Sequence, residues 1–463
     1  MNKTSSSFGK LLDEKLKDKR FPIAIITFLM ILGVAMSFSH NSSPAPFIPS
    51  MIGYFNLDPV MDQSLINLSM SIMFISTIPA TFIGTYWEQK LGTRRLFTLA
   101  MLFTCVGVLM VFLSSLGYGV FLTGRVIYGF GFGLALPFLG SAIMSWFRPR
   151  GRQIMTTLNG IFPLLGALLS YTFFPILGGA YGGAEGLSSG WIFGYGFSGF
   201  IVLAVIVIWI ITVRKDVDKI NIAAEEEKFL GIKQHQEKEK QNVVLWALKT
   251  NQIRCIIACF MCDFMMYMYI ATVLPIWLIN AGGMSEVMAN TWTAIAFPVF
   301  GVIGVTLGGI LTNVLGKRKP IVLFCQVLKL IGIIVATLGS DISTFYIIFG
   351  VALFGLGNGG WMSAMYIIPT EIPGTNASKV AASYSVFNSL GFVAGLIMPV
   401  VGGVIATNLI GSSGITNEAA QLAYGYKWSV LILGLFHIIA IISAIKLKET
   451  GLGRKKKELE KAA

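Results

Sequence analysis

The chain has 463 residues, 55% of them hydrophobic and only 12% charged. Soluble domains carry about 25% charged residues, so the composition excludes an ordinary soluble protein and points to a polytopic membrane protein. The net charge of +13 raises nucleic acid as a partner, but the basic residues are spread as a topology signal would be.

A membrane helix needs about 20 apolar residues. Twelve segments qualify: 22–53, 62–86, 94–114, 118–143, 153–177, 191–213, 252–280, 288–313, 318–339, 343–368, 378–405 and 425–446. The first follows a polar stretch and lacks a small-residue cleavage site, so it reads as an uncleaved span. The expected organisation is an N-terminal tail (1–21), a six-helix bundle (22–213), a charged linker (214–250), a second six-helix bundle (251–446) and a C-terminal tail (447–463). Both termini are expected in the cytoplasm. Lys10, Lys15, Lys17, Lys19, Arg20, Arg94, Arg95, Arg148, Arg150, Arg152, Lys317, Arg318, Lys319 and Arg454 to Lys457 then share one side. The opposite loops hold Asp58, Glu185, Glu286, Asp341 and Glu418, with Lys427 as their base. This is a positive-inside pattern. It makes anionic lipid the expected partner of the charge, and nucleic acid is not expected.

The halves repeat. Phe173 to Gly179 (FFPILGG) matches Ile397 to Gly403 (IMPVVGG). Gly129 and Gly131 match Gly355 and Gly357, and Pro49 matches Pro275. The loop GTYWEQKLGTRR (Gly84 to Arg95) matches GILTNVLGKRK (Gly309 to Lys319). Both copies start on the same side, so they are parallel repeats, with a solute site expected between them near the midplane.

These residues resemble the major facilitator superfamily over essentially the whole chain. The loop after the eighth segment resembles that family's signature through Gly309, Asn313 at the acid position, Gly316, Lys317 and Arg318. The first copy keeps Gly92, Arg94 and Arg95, but Gln89 takes the aspartate position. RVIYGFGFG (Arg125 to Gly133) resembles the fourth-helix signature. The resemblance implies an all-α fold of twelve transmembrane helices in two pseudo-symmetric bundles. It also implies alternating access, gating by the two basic loops, and a cavity lined by the first, fourth, seventh and tenth helices.

Ionisable groups inside such a bundle cost about 2.5–3.5 kcal/mol each on insertion scales, so their sites are informative. Asp263 lies near mid-depth of the seventh segment and is expected to couple transport to protons; an acid paired within a helix contact is the alternative. Arg125 can meet an anionic solute or hold carbonyls or a carboxylate. His40, in SFSHNSSPAPFIPS with Asn41, sits where Pro44 and Pro46 break the helix. It reads as a solute or proton residue, or as a hydrogen-bonded buried histidine. Lys329 reads as snorkelling or paired, and His437 as structural. Asn159, Asn358, Trp361, Tyr366, Tyr384 and Asn388 are candidate lining residues.

The five cysteines read as small buried hydrophobes. Neither metal, cofactor, disulfide nor enzymatic activity is expected, and the chain reads as a monomer. The likeness extends loosely to the cyanate, nitrate and oxalate porter branches. The second and eighth segments carry no internal base, which argues against nitrate. The expected cargo is a monoanionic organic acid taken up with protons across the cell membrane. Export of amphipathic drugs against protons is the alternative, and a receptor or scaffold on a transporter fold is the other class.

Overall fold

A computed structural model of the chain describes residues 32–33, 39–146, 149–182, 187–213, 243–373, 375 and 377–451. The N-terminal tail, residues 22–31 and 34–38 of the first segment, Arg148, Glu185, the linker up to residue 242 and the tail from residue 452 lie outside the described residues, as do the side chains of Arg150, Arg152, Asn159 and Asn313. Spans are numbered here by the segment they fill.

Eleven described helices are long and apolar enough to cross a membrane. They match segments two to twelve, running from Gln63–Gly84 (span 2) to Glu418–Lys446 (span 12). Their outward faces carry bare Ile176, Ile211, Phe324 and Phe345, as surfaces solvated by acyl chains do. The described part of span 1 is broken as its prolines dictate. A helical turn holds His40, a 3₁₀ turn covers Ala45–Phe47, and a short helix covers Ile48–Phe55. Pro44 has no N–H to give the carbonyl four residues before it, which is that of His40.

Small residues set the closest helix contacts. A Cβ on Gly359 would lie 2.0 Å from the carbonyl oxygen of Gly301, and one on Gly308 would lie 2.1 Å from that of Gly360. Spans 8 and 10 therefore touch backbone to backbone. Spans 2 and 4 repeat this, with Gly129 against Met73 and Gly133 against Thr77.

The stretch between spans 2 and 3 reads as a loop in the sequence. It is nearly all helix, within Phe74–Leu109, because Glu, Gln, Lys and Arg are good helix formers. Only Gly92 breaks it, at φ 75° and ψ 165°, a conformation open essentially to glycine alone. Its counterpart in the repeat, Gly316, ends the helix Phe300–Leu315 at φ 59°.

Candidate functional site

Arg125 is fully buried on span 4. Its Nε donates to the Ser69 carbonyl at 2.9 Å. One terminal nitrogen donates to the His40 carbonyl, the one that Pro44 leaves without a helical donor, and to the Tyr195 hydroxyl at 3.4 Å. The other reaches the Met70 carbonyl and the Met73 sulfur, both at 3.2 Å. These contacts match the five N–H groups of a guanidinium. Among the described residues no carboxylate forms an ion pair with Arg125. The His40 ring is also buried, held between the Ser43 hydroxyl at 3.1 Å and the Ser198 hydroxyl at 2.6 Å. Asn41 accepts from Tyr128, whose ring lies under the Arg125 guanidinium. Arg125, His40 and Asn41 thus come together in one nest of the first half, with Ser198 and Tyr195 of span 6 completing it.

Asp263 is placed otherwise than its span suggests. Its carboxylate turns away from the other half and into the second bundle. It pairs with Lys329, accepts from Gln326 at 3.0 Å, and lies 3.0 Å from His437. Lys329 and His437 are fully buried, so Lys329 does not snorkel. Its ammonium lies 5.1 Å from the centroid of the Trp361 ring, which makes Trp361 a wall of this cluster. The signal for the grouping was depth. Asp263 stands 12 residues past Asn251, Lys329 10 past Lys319, and His437 9 before Lys446. At 1.5 Å per residue all three lie about 14–18 Å from one end of the bundle.

The opposite face of span 7 meets the first half. Phe264 packs edge-on against Phe74 of span 2, and Tyr267 lies 3.4 Å from the Ser42 hydroxyl. Phe74 stacks on Phe392 of span 11. Tyr171 of span 5 donates to the Ala271 carbonyl at 2.7 Å, and Thr81 and Ser389 approach to 3.3 Å. Toward the end that carries Asp58 and Glu418 the halves are hydrogen-bonded together. Tyr426 donates to Gln63 at 3.0 Å, Thr407 to the Val60 carbonyl at 3.2 Å and Asn290 to the Pro46 carbonyl at 3.2 Å. Of the other candidate lining residues, Asn358 is buried, whereas Tyr366 and Asn388 are half-buried. The Tyr384 hydroxyl donates to the Tyr366 carbonyl at 2.5 Å.

At the basic end, Arg318 grips Glu371 with two nitrogens, at 3.1 and 2.8 Å. Glu449, beyond span 12, accepts from the backbone N–H groups of Arg318 at 2.7 Å and Lys319 at 3.2 Å. It caps the N-terminus of span 9, where a carboxylate also meets the positive end of the helix dipole. Lys317 and Arg95 are exposed. Arg94 donates to the Ile210 carbonyl of span 6 at 3.1 Å. The basic loops thus clasp elements of their own halves. Among the described residues no group of His, Cys, Asp and Glu side chains is arranged to hold a metal ion.

Solved structures share this fold. The proton:xylose symporter XylE, bound to 6-bromo-6-deoxy-D-glucose, superposes with a TM-score of 0.72 at 17% identity, over 93% of this chain and 96% of that one. A partially occluded, inward-open form of the xylose transporter XylE from E. coli gives 0.68 at 16%, over 92% and 98%. A bacterial homologue of the human lysosomal transporter Spinster, inward-facing and occupied, gives 0.68 at 15%, over 91% and 96%. At these identities the likeness concerns the fold. No curated protein matches the sequence. The Major Facilitator Superfamily matches residues 23–396. With eleven membrane-length helices and solved transporters of that fold superposing end to end, this chain belongs to the Major Facilitator Superfamily.

Proposed function

We propose that this transporter takes up a monoanionic organic acid together with protons, by rocking its two halves about a site between spans 1, 4 and 7. The basic end faces the cytoplasm in this reading, as the distribution of Lys and Arg supports. One observation carries the choice of cargo: the two buried charge clusters are not balanced alike. Asp263 has Lys329 as its counter-ion, whereas Arg125 is buried with carbonyls, a hydroxyl and a sulfur as acceptors. A buried, unneutralised guanidinium makes its surroundings electropositive in a medium that screens poorly. Asn41, Ser42, Tyr128 and Tyr267 supply amide and hydroxyl groups beside it. A carboxylate arriving there offsets the charge, and among the described residues a dianion finds no second deep cation on this side. Proton uptake falls to Asp263.

The test is uptake into liposomes holding the purified protein, across a panel of lactate, pyruvate, gluconate and benzoate, with and without an inward proton gradient. Accumulation that needs the gradient and is lost in Arg125→Gln supports the reading. Accumulation driven by Na⁺ alone refutes the choice of ion. Equal accumulation in Arg125→Gln refutes the choice of cargo. A second reading, proton-driven export of amphipathic compounds, is favoured by the aromatic seam of Phe74, Phe264 and Phe392. Extrusion of ethidium from the same vesicles distinguishes it.

A further inference from the structure

We propose that Asp263, Lys329, Gln326 and His437 form the proton-binding site of this transporter, set behind span 7 rather than in the solute path, with Lys329 and His437 as positioning residues that hold the carboxylate until a proton takes their place. This rests on the proton-coupled reading above and locates its proton.

The geometry gives three reasons. First, a single helix carries both events. Asp263 looks back at spans 9 and 12, while its neighbour Phe264 packs on Phe74 and Phe392, and Tyr267 meets Ser42. A rotation or shift of span 7 that changes one face must change the other. Second, the cluster is not needed to hold its helices together. A buried ion pair is a weak stabiliser, and well-packed apolar groups replace one at little cost. Third, hydrogen-bonding capacity is left over inside the cluster. Gln326 Oε1 is buried without a hydrogen-bond donor, and most such atoms in folded proteins are satisfied. It can accept a hydrogen bond from a water or from the protonated carboxyl when the pair opens.

Besides Lys329, Gln326 and His437, the described groups facing Asp263 are thiols and aromatic rings. Span 7 itself adds the thiols of Cys259 and Cys262, and span 9 adds that of Cys325. Span 10 faces the cluster with the Trp361 ring over Lys329 and the Phe354 ring edge-on to His437. In the step, a proton from the outer medium forms an O–H bond on Asp263 and the contact of Lys329 with that oxygen breaks. Release of the proton on the other side restores the pair.

The experiment is infrared spectroscopy of the full chain in lipid nanodiscs, following the carbonyl stretch of protonated carboxylic acid as the pH is lowered. The expected result is a buried-acid band in the parent protein that is absent in Asp263→Asn. Its midpoint moves in Lys329→Met, where the competing cation is gone, and by less in His437→Gln. A purely structural pair gives no such band and no movement. Where Lys329→Met does not fold, the doubly neutral Asp263→Asn/Lys329→Met protein must lack the band. The inference is overturned if no band depends on Asp263, or if the midpoint is the same in Lys329→Met and His437→Gln as in the parent. Gradient-driven uptake without the band leaves proton coupling standing and removes it from this cluster.

Discussion

Replacing Lys329 by methionine tests how the second bundle holds its buried acid. The side chain of Lys329 is 0% exposed and that of Asp263 is 2% exposed, so little water reaches the carboxylate once the ammonium is gone. Removing one partner of a buried pair costs about 3–5 kcal/mol, because the remaining charge is left uncompensated. Gln326 and His437 still donate to the carboxylate, which places the loss at the lower end, about 3 kcal/mol. Neutralising both partners, in Asp263→Asn/Lys329→Met, removes the stranded charge and returns most of that loss. The assay is denaturant unfolding of the four proteins in one lipid or detergent, read as a double-mutant cycle. A Lys329→Met protein as stable as the parent, or a double variant less stable than both singles, would mean that Lys329 compensates no buried charge.

Gly359→Val drives a side chain into the Gly301 carbonyl, 2.0 Å from where its Cβ must stand. Overpacking against backbone costs about 1–3 kcal/mol or more, so folded yield and unfolding midpoint fall, whereas Gly53→Ala, which meets open space, leaves both unchanged. Tyr426→Phe removes the hydrogen bond to Gln63 that helps to seal the halves. At about 0.5–1.5 kcal/mol per bond, the population open at that end rises about 2- to 12-fold, read as faster alkylation of a Ser42→Cys probe by an impermeant maleimide. In the connection between spans 1 and 2, the backbone N–H groups of Met61 and Val60 hold the Asp58 carboxyl below its ordinary range. A depressed folded value means that the stabilisation is fully present above the ordinary aspartate value of about 3.9 and is lost as the pH falls through the lower one. Amide exchange at Val60 and Met61 therefore stays slow at neutral and mildly acid pH, and Asp58→Ala abolishes that protection throughout.

Eleven of the spans and the paired loop glycines were legible because length, hydropathy and glycine spacing are local properties. Gly92 and Gly316 adopt positive φ at matching places in the two copies, as the aligned loops suggested. The direction in which Asp263 points was not legible. Span 7 is apolar on every side, with Met, Phe and Tyr on both faces, so no amphipathic stripe fixes its rotation. Only the equal depths of Asp263, Lys329 and His437 carried that information, and it becomes readable once spans 7, 9 and 12 are known to be neighbours. The partners of Arg125 were hidden for another reason. Its acceptors are mainly main-chain carbonyls, which any residue supplies; Pro44, four residues beyond His40, was the single trace of one of them. Lining positions such as Asn388 had no distinguishing pattern, since polar residues on a packed helix look alike whether they meet a neighbour or a solute.

Alternating access is tested most directly by locking the halves where they meet. The Thr407 hydroxyl donates across them to the Val60 carbonyl at 3.2 Å, so a Val60→Cys/Thr407→Cys protein puts a thiol on each half at that seam for cross-linking by oxidation. The measurement is accumulation of the organic-acid panel under a proton gradient, in vesicles holding this protein, before oxidation, after it and after reduction. The account predicts accumulation that stops on cross-linking and resumes on reduction. Accumulation that continues in the locked protein, or none before oxidation in protein that is folded, contradicts it.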